Sequence, residues 1–218
     1  MKHIFEADSI QLEFGKKRIL SGIYFKCETG SITGMLGRNG QGKTCLMNIV
    51  YGNLTPSSKS VRFDNVTIND AYKRPDLLTY LPQNNFIPGF LTLKRIFIDF
   101  NLSFKDFENI FPEFKEKENT LIRKLSGGQR RLIEVYVIIK SKSQFSMLDE
   151  PFSHLMPLQI EKINEILTNE KNNKGFLITD HMYRYILDIC DDIYVLTDGS
   201  IKLTKSMEEI EKLGYLNN

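Results

Sequence analysis

Apolar and polar residues alternate from Ile4 to Phe14 and again from Ile19 to Cys27, with Gly15 and Gly22 as breaks. A period of two puts successive side chains on opposite faces, so both segments are expected to be strands of an N-terminal antiparallel β subdomain. Ile32 to Leu36 is a short apolar run, read as a buried strand that ends in Gly37-Arg38-Asn39-Gly40-Gln41-Gly42. Lys43 to Tyr51 then reads as a helix stopped by Gly52. Leu77 to Leu81 is expected to be a further buried strand, closed by Pro82.

The pattern changes between Ile87 and Lys142. Leu93 to Leu102 and Ser103 to Phe111 favour helix, and Pro112 is a stop because its ring removes an N–H donor. Residues 87–142 are therefore expected to form a helical subdomain inserted in an α/β core of residues 1–86 and 143–218. Strand signals return at Phe145 to Leu148, Gly175 to Thr179 and Ile193 to Thr197. Between them Pro157 takes a first-turn position ahead of Ile160, Ile163 and Leu167 on one helix face. Met182, Tyr185, Ile186 and Ile189 make a second helical stripe. Asp198-Gly199 reads as a hairpin turn. Ser206-Met207-Glu208-Glu209 reads as a capping box, with Gly214 ending that last helix. Strands alternating with helices predict an α/β fold with a mostly parallel sheet.

With 218 residues, 41% apolar and 26% charged, the chain has the size and usage of one globular domain. A formal net charge of +2 gives no nucleic-acid footprint, so no direct nucleic-acid partner is expected. Cys27, Cys45 and Cys190 form no C-x-x-C pair, which suggests a reducing compartment and no zinc site. No apolar run reaches the length of a membrane span, and the first residues carry early acids without an apolar signal core. A cytoplasmic chain, held at a membrane only by partners, is expected.

Gly37-x-x-x-x-Gly42-Lys43-Thr44 matches the phosphate-loop pattern in full, between an apolar strand and a helix. Asn39, Gly40, Gln41 and Gly42 would curl so that backbone N–H groups face phosphate oxygens. The helix start adds partial positive charge. Lys43 supplies a full charge, and the Thr44 hydroxyl is a ligand for Mg²⁺. The apolar strand ending in Asp149-Glu150 adds a metal partner at Asp149 and, at Glu150, a base for water near the γ phosphate. Leu125-Ser126-Gly127-Gly128-Gln129 precedes the apolar run Leu132 to Ile139, giving a hydroxyl and bare N–H groups at a positive helix end. That is a second anion site.

Leu125-Ser126-Gly127-Gly128-Gln129 is letter for letter the signature of the nucleotide-binding subunits of ABC transporters, which the chain resembles over nearly its whole length. The resemblance implies ATP and Mg²⁺ as ligands and ATP hydrolysis coupled to transport through separate transmembrane permease subunits. Phe14 looks like the ring that stacks on adenine, and Gln83 like the glutamine that touches metal and attacking water. Thr179-Asp180-His181 resembles the switch loop, with His181 reaching the γ phosphate. In the family two copies, or two homologues, pack head to tail, so Ser126 and Gly128 of one would face ATP held by Lys43 of the other. The chain would sit on the inner face of the cell membrane. Pro88, Gly89, Phe90 and Leu91 are an apolar stretch beside the groove expected to receive a permease helix.

There are departures from the family pattern. Met156 stands where an aspartate is usual after Ser153-His154-Leu155, and Val135 to Ile139 replace an arginine among alanines. Cys45 follows Thr44 where a second hydroxyl is common. Glu150-Pro151-Phe152, Arg130-Arg131 with Glu134, and Ile178 to His181 are similar to the ATPases of lipopolysaccharide export and, less closely, of branched-chain amino-acid uptake. Two other readings are a soluble non-transport ABC ATPase and a weakly active regulatory subunit. The short span from Gln83 to Leu125 and the single cassette speak against the first; Met156 motivates the second.

Overall fold

The computed structural model describes residues 2–204 and 207–213. Ser206 and Gly214, named above as cap and stop of the last helix, lie outside them. In chain order the strands are β1 (Ile4–Phe14), β2 (Lys17–Glu28), β3 (Ile32–Leu36), β4 (Ser58–Phe63), β5 (Val66–Thr67), β6 (Leu78–Leu81), β7 (Phe145–Asp149), β8 (Gly175–Thr179), β9 (Asp192–Thr197) and β10 (Ser200–Thr204). The helices are α1 (Lys43–Tyr51), α2 (Leu93–Asp99), α3 (Phe104–Ile110), α4 (Gly127–Lys140), α5 (Pro157–Glu170), α6 (Tyr183–Leu187) and α7 (Met207–Lys212).

The first sheet is antiparallel, in the order β2-β1-β4-β5. Gly22 does not break β2. It adopts a φ of 61° and sits in a register shift against β1, the bulge a residue without Cβ tolerates best. The hairpin β4–β5 has no counterpart in the sequence reading. Only Val61 and Phe63 of β4 are buried, too little alternation to see, while Asp64 and Asn65 make the turn with positive φ. Phe63 stacks on Phe5 with centroids 4.9 Å apart, which fixes this sheet's inner face.

The second sheet has the order β10-β9-β3-β8-β7-β6, parallel except for the β9–β10 hairpin at Asp198-Gly199. Every residue of β3, β7 and β8 is buried, since α4, α5 and α6 cover one face of this sheet while α1 and the first sheet cover the other. Its order places β3 and β7 on either side of β8. The loops after β3 and β7 therefore open at the same edge of the sheet.

Between β6 and β7 the described residues hold α2, α3, α4 and two short 3₁₀ turns, with one isolated bridge between Thr92 and Leu121. α3 starts at a Ser103 cap whose hydroxyl accepts from Asp106 N at 3.1 Å. Phe97, Phe107, Phe111 and Phe114 are buried around Tyr136 of α4. Phe107 is the hub, with centroids 4.8 Å from Tyr136 and 4.9 Å from Phe114. Burial of each ring is worth about 1.5–3 kcal/mol, so this knot fixes α4 against α2 and α3.

At the opposite edge of the parallel strands, Lys174 is 3% exposed beneath a polar basin. Its Nζ donates to Ser141 O and reaches the hydroxyls of Ser143 and Ser146, each at 3.2 Å. Burial pushes its ammonium down to about 7, against the pull of Glu170.

Candidate active site

The chain leaves β3 and turns through Gly37 to Gly42 before α1 begins at Lys43. Gly42, at the helix cap, has a φ of 99°, and a Cβ there would lie 2.9 Å from Ile19 Cγ2. Backbone hand and the neighbouring strand both demand glycine at this position. Lys43 is 6% exposed, and its Nζ donates to the carbonyls of Gly37 and, at 3.3 Å, Arg38. Burial lowers its pKa, while Glu150, Asp149 and Asp180 oppose that fall. Gln41 turns away, its Oε1 accepting from Asp198 N at 3.1 Å and so fastening the loop to the β9–β10 hairpin.

β7 delivers the carboxylates. Asp149 is fully buried, its Oδ1 accepting from Thr179 Oγ1 at 2.8 Å and its Oδ2 from Tyr80 OH at 3.3 Å. Strands β6 and β8 therefore hold it from both sides. Glu150 follows with a φ of 50°, left-handed for a residue with a side chain, after its N–H has bonded Thr179 O at 2.8 Å. Such geometry costs of order 1–3 kcal/mol and persists where surroundings impose it. It turns the Glu150 side chain out of the strand toward Gln83, whose Nε2 donates to Glu150 Oε2 at 3.0 Å. His181 Nδ1 lies 3.7 Å from the same oxygen and 3.4 Å from Asp180 Oδ1.

A cleft of about 490 Å³ is lined by Phe14, Ile19, Asn39, Gly40, Gly42, Lys43, Thr44, Cys45, Gln83, Glu150 and His181. Residues from both sheets meet there. Phe14 is 54% exposed at its rim, a ring with a free face. Gly37, Gln41 and buried Asp149 are not among the residues that line it.

Ser126, Gly127, Gly128 and Gln129 are not among the residues that line this cleft. Ser126 caps α4 in a full capping box: its Oγ accepts from Gln129 N at 3.2 Å, and Gln129 Oε1 accepts from Ser126 N at 3.1 Å. Ser126 and Gly127 are exposed, and a Cβ on Gly127 would meet nothing within 4 Å. Gly128 is a glycine for a different reason, since a Cβ would lie 2.4 Å from His154 O. Met156, 67% exposed, sits at the N-cap position of α5 just ahead of Pro157.

Sequence reasoning assigned no role to Tyr80, Thr179 or Asp180 in supporting the carboxylates. Asp180 is fully buried and accepts from Phe152 N at 3.0 Å and Met182 N at 2.8 Å, tying the loop after β8 to the loop after β7. Burial raises its pKa, partly offset by those N–H groups. An acid beside His181 was the available signal. Arg131 and Glu134, which in the sequence carry only a likeness to a subfamily, bind the backbone beside Gln83 and Glu150.

A glycine-rich loop between a buried parallel strand and a helix, facing a carboxylate pair from a nearby strand, defines a phosphate-loop nucleoside triphosphatase. The profile described as ABC transporter matches residues 20–153, and the chain belongs to that family. It is similar to the lipopolysaccharide export system ATP-binding protein LptB of Haemophilus influenzae, 28% identical across 95% of this chain and 92% of that protein. It is 26% identical to the galactose/methyl galactoside import ATP-binding protein MglA of Treponema denticola, covering 93% of this chain but 44% of the relative. Among solved structures, the ATP binding subunit of an ABC transporter superposes with a TM-score of 0.80 at 19% identity, covering 99% of this chain and 95% of that one. A nucleotide-free ATP-binding cassette gives 0.77 at 22% identity, over 97% and 94% of the two chains. The chain is thus the ATP-binding subunit of an ABC transporter, an ATPase that energises transport. Among the described residues no helix is long and apolar enough to cross a membrane.

Proposed function

We propose that two copies of this chain, or this chain and a homologue, pack head to tail and close on ATP, each completing the other's site. The observation that carries this reading is the separation of the two anion sites. Lys43 and Thr44 line the cleft, whereas Ser126 and Gly127 are exposed elsewhere and leave the cleft open. A second subunit presenting its α4 start would bring the missing hydroxyl, N–H groups and helix-end charge to the γ phosphate.

Within that site the loop N–H groups and Lys43 hold the β and γ phosphates, and the exposed face of Phe14 stacks on the base. Glu150 Oε2 takes the proton of the attacking water, Gln83 holds that water in line, and His181 contacts the γ phosphate. Mg²⁺ fits the donors present: the Thr44 hydroxyl and the Gln83 amide line the cleft with hard oxygens, the buried Asp149 carboxylate would act on the ion through a water, and this ion takes few protein ligands beside phosphate. Bound there, it would neutralise charge on the phosphates. The Gln83–Glu150–His181 grouping supports a turning-over subunit over a merely regulatory one.

Separate transmembrane permease subunits would dock beside the Gln83 loop, where Phe90 is 70% exposed, placing the chain on the cytoplasmic face of the membrane. Mixing two inactive variants tests the shared site. Lys43→Ala keeps a sound α4 start, and Ser126→Arg keeps a sound loop, so their mixed dimer has one intact site. Recovery of ATPase activity on mixing, toward half the native level at most, is expected. No recovery at any ratio, with both variants folded and still forming mixed dimers, would overturn the head-to-tail arrangement.

A further inference from the structure

Arg131 lies in the first turns of α4 and is 2% exposed. Among the described residues its guanidinium bonds no side chain within hydrogen-bond distance. Instead Nη1 donates to Pro82 O at 2.8 Å, and Nη2 donates to Asp149 O at 2.6 Å and Glu150 O at 3.0 Å. Pro82 O belongs to the peptide that enters Gln83, and the other two carbonyls flank Glu150. One rigid fork thus fixes the backbone on both sides of the Gln83–Glu150 hydrogen bond.

Glu134, one turn on and fully buried, completes the hold. Its Oε1 accepts from Phe86 N and Ile87 N, each at 3.2 Å, and from Arg130 Nε at 3.2 Å. Arg130 Nη2 donates to Ile87 O. Arg131 Nη1 and Glu134 Oε2 stand 3.9 Å apart, and neither Arg131 Nε nor Glu134 Oε2 has a hydrogen-bond partner among the described residues. A fork committed to carbonyls in preference to the nearest carboxylate acts as a brace for main chain, not as an ion pair. Burial lowers the Arg131 pKa, with Glu134, Asp149, Asp180 and Glu150 opposing.

We propose that Arg131 is a positioning residue for hydrolysis, and that Arg131 and Glu134 connect the Ser126–Gln129 start of α4 to the placement of Gln83 against Glu150. This rests on the reading of Glu150 as base and Gln83 as water holder. Contact made by a partner at the exposed α4 start reaches the reacting groups through one helix turn and one guanidinium. Misplacement of a reacting group by about 1 Å costs of order a hundredfold in rate while leaving ground-state contacts largely intact.

The test compares Arg131→Met, Arg131→Lys, Gln83→Ala, the double variant Arg131→Met/Gln83→Ala, and Glu150→Gln in the full chain. Arg131→Met is expected to lower kcat by about tenfold to a hundredfold while KM and the calorimetric Kd for ATP move less than about twofold. Arg131→Lys keeps charge and stem but not the fork. It should show the same split to a smaller degree, and it carries the test if the Met variant does not fold. In the Gln83→Ala background, Arg131→Met should cost less than about twofold further, the non-additivity of groups acting as one unit. Fully additive losses, or a parallel fall in ATP affinity and kcat, would overturn the positioning role. Unchanged kcat in both Arg131 variants, with Glu150→Gln inactive, sinks this inference alone; full activity in Glu150→Gln sinks the reading of the site beneath it.

Discussion

Gln83 Nε2 donates to Glu150 Oε2 at 3.0 Å, across 67 positions of chain. The two side chains arrive from neighbouring parallel strands, β6 and β7, whose ends sit side by side at the mouth of the cleft. Occupied in this way, the carboxylate oxygen is held ready but not free. In the proposed reaction a water would take over the amide's bond before its activation. Glu150→Gln removes the proton acceptor and keeps the shape. It is expected to lower kcat by about 10²–10⁴-fold while ATP still binds, so ATP-dependent dimers should accumulate in size-exclusion runs. Hydrolysis at the native rate would exclude Glu150 as the base.

Lys43→Ala removes the buried ammonium at the centre of the loop. Hydrogen bonds to charged groups contribute about 1.5–3 kcal/mol, so Kd for ATP should rise by roughly 10–150-fold in calorimetry. An unchanged affinity would contradict the cradle.

Gly127 and Gly128 separate two reasons for glycine. A Cβ on Gly128 would press to 2.4 Å from His154 O, so Gly128→Ala should lower stability by about 1–3 kcal/mol in denaturant titration. Gly127→Ala meets nothing within 4 Å and should leave the isolated chain as stable as before, yet impair ATP-driven dimers. Normal dimerisation of Gly127→Ala would mean the partner does not approach this face closely.

Met156 takes the N-cap position of α5, where an aspartate side chain accepts from the first-turn N–H groups. Met156→Asp should raise stability by about 1 kcal/mol in urea unfolding. A rise in turnover as well would show that the missing acid limits hydrolysis; a flat or lower rate would leave its replacement by methionine without a catalytic cost.

Lys174 gives the pH test. Its amine has a pKa of about 7 when folded against about 10.4 when unfolded. Between those values the unfolded chain binds the extra proton, so stability rises with pH; below about 7 the full penalty applies. The urea midpoint of the native chain should therefore gain on that of Lys174→Met from pH 7 to pH 9. A constant difference would mean that the neighbouring hydroxyls keep the ammonium charged.

The buried strands β3, β7 and β8 were legible because short runs such as Phe145 to Leu148 are mostly apolar and carry no charge, and α5 because Pro157 announces it. The loop and signature were legible as letters. What stayed hidden was what only a sheet brings together. Tyr80 and Thr179 meet Asp149 because β6 and β8 flank β7, an order that sequence periodicity does not encode. Strand β4 was missed since Ser58 to Ser60 carry little apolar signal, and the brace of Arg131 because its partners are carbonyls, which have no letter.

The Lys43 ammonium rests on main-chain oxygens of Gly37 and Arg38. Arrival of a nucleotide at the proposed site would therefore be an exchange of one set of oxygens for another, and departure the reverse. Each phosphate oxygen reaching Lys43 would compete with an acceptor built into the chain. Grip is moderated at its strongest point, which suits a motor that must discharge its spent fuel before every new stroke.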